Sequence, residues 1–312
     1  MIDPLGVILF RENGSSTQMS PRDQIELFLR TGKGDSFDLA WPGLAWPGEN
    51  FMECARSRDK ALRQALISEV EKRAPRAVLP DELFDLDLKA FVRKKTGPMV
   101  RGLFPVSEQP TVMQTLSRSI VFLTSYNIAP IILSVSFLST AWQLANLYLL
   151  SCGVALLSND APDIVGFSEA TTCYVSTAYF SESAFTDYVV HEVAHVFHNC
   201  KRETIGLSEI RGREWLLAID YCKRELFAYA CEAYSCILTM GQSVADRRRL
   251  LTEIESDWMP SDSRVDLSEF RATLHEAVEA RNGWKRILKR CAPPPRTRSS
   301  SAMSHMSAAM AL

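Results

Sequence analysis

The chain has 312 residues, 35 Lys and Arg against 37 Asp and Glu, a formal net charge of −2 and 46% hydrophobic residues. Such a length suits one large domain or two smaller ones, and the near-neutral charge argues against nucleic acid as a partner. Eight cysteines without a framework spacing, in a chain long enough to build its own core, read as reduced thiols of a cytoplasmic protein.

The N-terminal stretch MIDPLGVILFRENG has no basic lead and only a short apolar run before Arg11, so no secretory signal is expected. An export signal of the kind effectors carry, read by a receptor, would leave no such mark. SPRDQIELFLRTG predicts a short helix, with Ser20 as cap, Pro21 at its first position and Gly32 closing it. The repeat AWPGLAWPG that follows is a pair of turns whose tryptophans are expected to pack as a lid. Residues 53–73 predict a solvated surface helix stopped by Pro75 and Pro80, and DELFDLDLKAFVRKKTG a further helix ending at Gly97.

From Ser119 to Asn159 there is no charged side chain, and residues 128–150 are long enough to span a bilayer. Interspersed Ser, Thr, Gln and Asn, Pro130 near the start and the lack of a flanking Lys/Arg cluster argue against a span. SIVFLTS and PIILSVSFL read as buried strands or as a strand leading into a helix, FLSTAWQLANLYLL as a helix and VALLS as a strand. TTCYVSTAYF (171–180) has strand composition and leads into a helix running to about Asn199, capped by Ser181 or Ser183. A polar stretch over 200–214 precedes one long apolar-striped helix over 215–240, then two more helices, SVADRRRLLTEIESDW and VDLSEFRATLHEAVEARN. The Pro- and Ser-rich residues 292–312 are expected to be disordered.

The chemistry gathers in YVVHEVAHVFHN (188–199), which holds three of the five histidines. His191-Glu192-Val193-Ala194-His195 is HExxH: on a helix the two imidazoles lie one turn apart on one face and can share a zinc ion. Glu192 is rotated off that pair, as a general base acting on water requires. The plain alternative is two core histidines hydrogen-bonded without a metal. His198, about 10 Å along the axis from His191, is too far to be a third ligand and suits support or packing. Downstream, RELFAYACEAYS puts Glu225 and Glu232 two turns apart on one apolar face, with Tyr221 and Tyr229 on the same stripe. Buried acids of this kind need a partner, a proton or a metal. Glu225 as the third ligand, Glu232 as ligand in its place, and Glu225 as a surface partner of Lys223 or Arg224 all fit the spacing. Either tyrosine is a packing residue or a hydrogen-bond donor to an oxyanion.

HExxH with Glu225-Leu-Phe-Ala-Tyr-Ala resembles the gluzincins, metallopeptidases whose third zinc ligand is a Glu on a second helix, and in particular the E-x-F-A-E-A segment of the anthrax lethal-factor-like zincins. The resemblance covers about residues 171–240. It implies zinc held by His191, His195 and Glu225, with Glu192 as general base and a protein or peptide as substrate. At Tyr229 the chain departs from that family, which often has a second Glu there, and Glu232 is then expected to orient His191 or His195. The implied fold is α+β and mostly helical: an N-terminal helical region (1–110), then a zincin-like core (111–291) with a small mixed sheet over the HExxH helix. TTCYVSTAYF is its expected edge strand, open to an extended peptide. A non-catalytic, metal-stabilised regulatory or interaction protein would carry the same ligands, and a membrane-associated protease would need 128–150 in the bilayer.

Overall fold

The structure, a computed structural model, describes residues 19–35, 45–74, 79–162, 164–181, 185–209 and 213–294. Trp41, Pro75, Ser183 and residues 295–312, which carry a lid, helix-stop, cap and tail expectation, lie outside the described residues. The fold is α+β and mostly helical with a small three-stranded mixed sheet. The chain divides into two compact units that interleave in sequence: residues 1–86, 121–167 and 174–182 in the first, and 87–120, 168–173 and 183–312 in the second.

In the first unit α1 (Pro21–Thr31) starts where the sequence predicts, with a reciprocal Ser20–Asp23 capping box and Pro21 at its head. It stops at Gly32, whose φ of 71° is left-handed; a Cβ there would also lie 2.8 Å from the Trp142 ring. Trp46 is buried and donates to Gln24 Oε1 at 3.0 Å. Helix α2 (Phe51–Arg73) is less solvated than its charge suggests, because Cys54, Leu62, Leu66, Ile67 and Val70 form a buried stripe. The short α3 (Asp81–Phe84) follows. The uncharged stretch breaks into β1 (Ile120–Phe122), α6 (Ile128–Ser134) and α7 (Leu138–Ser151). Of the two readings, the strand leading into a helix is the one the structure has, Pro130 falling in the first turn of α6 where its missing N–H costs nothing. Helix α7 is buried on nearly every side, in one cluster with Leu62, Leu66, Leu123 and Ile132, which explains its lack of charge by core packing. No described helix is long and apolar enough to cross a membrane.

The second unit begins with α4 (Leu88–Leu103), capped by Asp87. It runs through Gly97 and Pro98 instead of ending there, because Val92, Met99, Val100 and Leu103 beyond and before them are all buried. After α5 (Gln109–Leu116) come α8 (Tyr188–Asn199), α9 (Arg224–Met240), α10 (Val244–Asp257), α11 (Leu267–Glu279) and α12 (Gly283–Cys291). The expected long helix over 215–240 is shorter: residues 215–220 are irregular, Leu217 N bonding Phe197 O, and a 3₁₀ turn at Tyr221–Lys223 opens α9. Helix α12 is an addition to the sequence expectation; Trp284 pins it against Gly102 of α4, where a Cβ would meet the indole at 2.3 Å.

The sheet order is β1-β3-β2, with β2 at Gly166–Glu169 and β3 at Thr172–Val175. The expectation that TTCYVSTAYF is an edge strand is therefore corrected. Ala170, at a φ of 51°, turns the chain so that β2 pairs along one side of β3, and β1 occupies the other. Thr177–Ser181 continues as 3₁₀ turn, and VALLS is not a strand.

Candidate metal centre

Helix α8 is apolar on all but one stripe: Val189, Val190, Val193, Ala194, Val196 and Phe197 are fully buried. Phe104 packs edge-on against Phe197 at 5.0 Å. Its cap is Asp187, which accepts from Val190 N and pairs with Lys95 Nζ of α4 at 2.8 Å, replacing the serines the sequence offered. The packed faces leave the polar stripe turned toward α9.

On that stripe three ligand atoms converge. His191 Nε2 and His195 Nε2 are 3.2 Å apart, and Glu225 Oε2 lies 3.8 and 3.5 Å from them. Atoms bound tetrahedrally at zinc distances would stand about 3.3–3.5 Å apart. His191, His195 and Glu225 are the metal-type cluster found among the described residues, and donor set and spacing both fit a zinc ion.

Each of the three side chains is held from behind. Glu232 Oε2 meets His191 Nδ1 at 2.9 Å, while its Oε1 accepts from Asp187 N at 2.8 Å. It supports His191 and is not within the converging set. His195 Nδ1 meets His198 Nε2 at 3.0 Å, and His198 Nδ1 meets Asn199 Oδ1 at 3.1 Å. Glu225 Oε1 pairs with Arg264 Nη1 at 3.0 Å, and Arg264 is clamped in turn by Asp262. Neither Lys223 nor Arg224 is Glu225's partner: Lys223 goes to Glu269, and Arg224 lies over the Tyr221 ring.

Glu192 is buried, and its Oε2 has no hydrogen-bond partner among the described residues. Burial pushes its carboxyl up, against the opposing pull of His195, His191 and a hydrogen bond with Ser168 of β2. Burial also acts on His191, but the carboxylates of Glu225 and Glu232 outweigh it and raise the ring to about 10. A cation that takes Nε2 must displace that proton. Burial raises the Glu225 carboxyl, and the two imidazoles more than reverse it, holding it well below the usual range. Burial, His195 and Arg224 push His198 down to about 3, so it is a neutral ring.

The two tyrosines part ways. Tyr229 stacks edge-on against His191 at 4.6 Å, and burial with Glu232 pushes its phenol up to about 12, leaving it a protonated donor. Tyr221 precedes α9 and is 79% exposed. Arg264, Asp262, Ser168, Lys95 and Asn199 are additions to the residues the sequence singles out. All but Asn199 reach the site from other elements, and no local pattern marks them. No family model, curated protein or solved structure matches this chain.

Proposed function

We propose that the chain is a zinc-dependent endopeptidase of the gluzincin kind, with a zincin-like core around α8 and α9. The observation that carries the reading is the convergence of His191, His195 and Glu225 beside a buried carboxylate, Glu192, that keeps one oxygen unpartnered. A buried charge without a partner is costly, and proteins retain one where it does chemistry. His191, His195 and Glu225 would hold the ion. Zinc, when bound there, supplies a Lewis acid that polarises a carbonyl and acidifies water.

Glu192 takes the proton from the attacking water at its Oε2 and hands it to the leaving amine nitrogen. Its raised carboxyl pKa brings it nearer to neutral, where such an exchange runs best. Tyr229 is the donor for the oxyanion, being protonated and packed on a ligand ring. Tyr221, more exposed, would act only on a part of the substrate further out. β2 is an edge of the sheet, and its Ser168 hydrogen-bonds Glu192, so an extended peptide adding a strand at the Ser168–Glu169 end would bring its backbone to the base. Substrate selection by main-chain hydrogen bonds fits a protein or peptide, with no role for nucleic acid.

The test is zinc analysis of the purified protein together with a proteome-wide cleavage screen, wild type against Glu192→Gln. Stoichiometric zinc in both, with cleavage products only from wild type, supports the endopeptidase. Zinc in both with no product from either would leave a metal-stabilised, non-catalytic protein, a reading in which Glu192 has no use for its unpartnered oxygen.

A further inference from the structure

The two ligand imidazoles are backed by different chemistry. His191 Nδ1 faces a carboxylate, Glu232, at 2.9 Å, whereas His195 Nδ1 faces a second imidazole, His198 Nε2, at 3.0 Å. A carboxylate only accepts, so His191 keeps a proton on Nδ1, and a cation that displaces the Nε2 proton meets the Nε2 lone pair in the triad. For His195 to turn its Nε2 lone pair the same way, its proton must also sit on Nδ1, and His198 must accept it through Nε2. A neutral imidazole accepting at Nε2 keeps its own proton on Nδ1. Asn199 Oδ1 lies 3.1 Å from that nitrogen and is the acceptor it needs. A single proton order satisfies every one of these contacts: His195 Nδ1–H to His198 Nε2, then His198 Nδ1–H to Asn199 Oδ1. His198 is 4% exposed, so its neighbours rather than solvent set its tautomer.

Resting on the zinc-site reading above, we propose that His198 is a positioning residue which fixes the tautomer and ring plane of His195 and makes the centre asymmetric. One ligand imidazole is backed by charge and the other by a neutral ring ending on an amide. Neutral backing leaves His195 the weaker donor of the two, and a metal held by weaker donors is the stronger Lewis acid. The histidine one turn beyond HExxH on α8 thus has a use that packing would not require. A packing imidazole need not align its Nε2 with the Nδ1 of a ligand.

Zinc affinity of the full chain, measured by chelator competition, tests this in wild type, His198→Leu, His198→Gln and Asn199→Leu. His198→Leu should bind zinc about 10–100-fold more weakly. His198→Gln, whose amide oxygen reaches the place of Nε2, should recover most of the affinity. Asn199→Leu should show a smaller loss. A purely structural role would lower the metal-free unfolding temperature of all three variants alike and would leave the imidazole signals alone. The zinc-loaded, ¹⁵N-labelled protein should instead show a slowly exchanging His195 Nδ1 proton in wild type and His198→Gln that is lost in His198→Leu. Wild-type affinity and an intact Nδ1 proton in His198→Leu would overturn the proposal. Should that variant not fold, Asn199→Leu decides: weaker binding at an unchanged metal-free unfolding temperature supports the relay, and wild-type affinity overturns it. A wild-type protein that takes up no zinc sinks the metal site and this inference together, a result distinct from equal binding by every variant, which removes the inference alone.

Discussion

Around α7 in the first unit, three buried side chains reach backbone groups. Asn146 bonds Trp142 O and Leu157 N, Arg63 donates to Ile132 O, and Trp142 donates to Leu29 O. In the second unit, between α8 and α9, buried polar side chains end on one another: His191 on Glu232, His195 on His198, and Glu225 on both ligand imidazoles. The first pattern includes a buried main-chain N–H, that of Leu157, which would otherwise be stranded, and so contributes stability. The second concentrates donors and charge where the backbone needs none, and it leaves Glu192 Oε2 with nothing to bond among the described residues. The first set of bonds serves the fold; the second gathers donor atoms beside a buried carboxylate oxygen, the arrangement that the proposed chemistry uses.

The sharpest way to break this contrast is to remove the site's charges. Glu225→Ala takes a ligand from the triad and leaves Arg264 without that partner; zinc content should fall from stoichiometric to near none, measured by metal analysis after dialysis. Full metal retained would return Glu225 to the role of a surface ion pair. Glu192→Gln is nearly isosteric and touches no ligand atom, so zinc should stay while cleavage falls by about 10²–10⁴-fold. An equal rate in that variant would remove Glu192 as the base.

The sequence makes some of this legible and hides the rest for identifiable reasons. HExxH and the Glu225–Glu232 pair follow helical period, and α8 and α9 present those residues as that period requires. Local capping is readable at Ser20 and Gly32, where each residue serves its own turn. At α8 the nearby serines mislead, because Asp187 is fixed by Lys95 from 92 residues away. The break at residues 215–223 is hidden as well: an apolar stripe continues through it, while Leu216 and Leu217 spend their N–H groups on the end of α8. β3 has the composition of a strand, yet its place inside the sheet is set by its partners, on which composition is silent. Arg264 reaches Glu225 from the segment between α10 and α11, a long-range contact no local pattern announces.

Glu232→Ala sharpens the contrast, since this carboxylate serves both purposes: it bonds Asp187 N as a structural group would, and His191 Nδ1 as a tuning group would. Zinc affinity should drop by about 10–100-fold, and the metal-free protein should also lose stability, because two buried donors are left without an acceptor. A loss in stability alone would assign Glu232 wholly to the fold.

Lys95→Met probes the cap beneath the site and has a definite pH signature. Burial holds the Asp187 carboxyl above its ordinary 3.8, and Lys95 pulls it back. A folded value above the unfolded one means the native state holds the proton more tightly. Its contribution to stability is therefore complete below the unfolded value and is lost as pH rises through the folded one. Without Lys95 the folded value moves higher still and a buried carboxylate stands unpaired at neutral pH. The variant should be less stable than wild type at pH 7 by about 2 kcal/mol, a figure reduced because the lysine is partly exposed. The difference should close as pH falls to where Asp187 is protonated; denaturant midpoints across pH 3–7 measure it, and a constant gap would mean that Lys95 acts through packing.

Asn146→Leu should have the smallest effect and is the cleanest control. The substitution keeps the volume on α7 and removes the acceptor for Leu157 N, stranding one buried N–H at a cost of about 1 kcal/mol. Urea unfolding should show a lower midpoint, while zinc affinity by chelator competition should stay within about twofold of wild type, since the lost bond closed a backbone group and joined no ligand. A zinc affinity that falls with Asn146 would show that the first unit's polar groups also hold the centre in place. The division between side chains that close backbone groups around α7 and side chains that hold the centre would then fail at its simplest point.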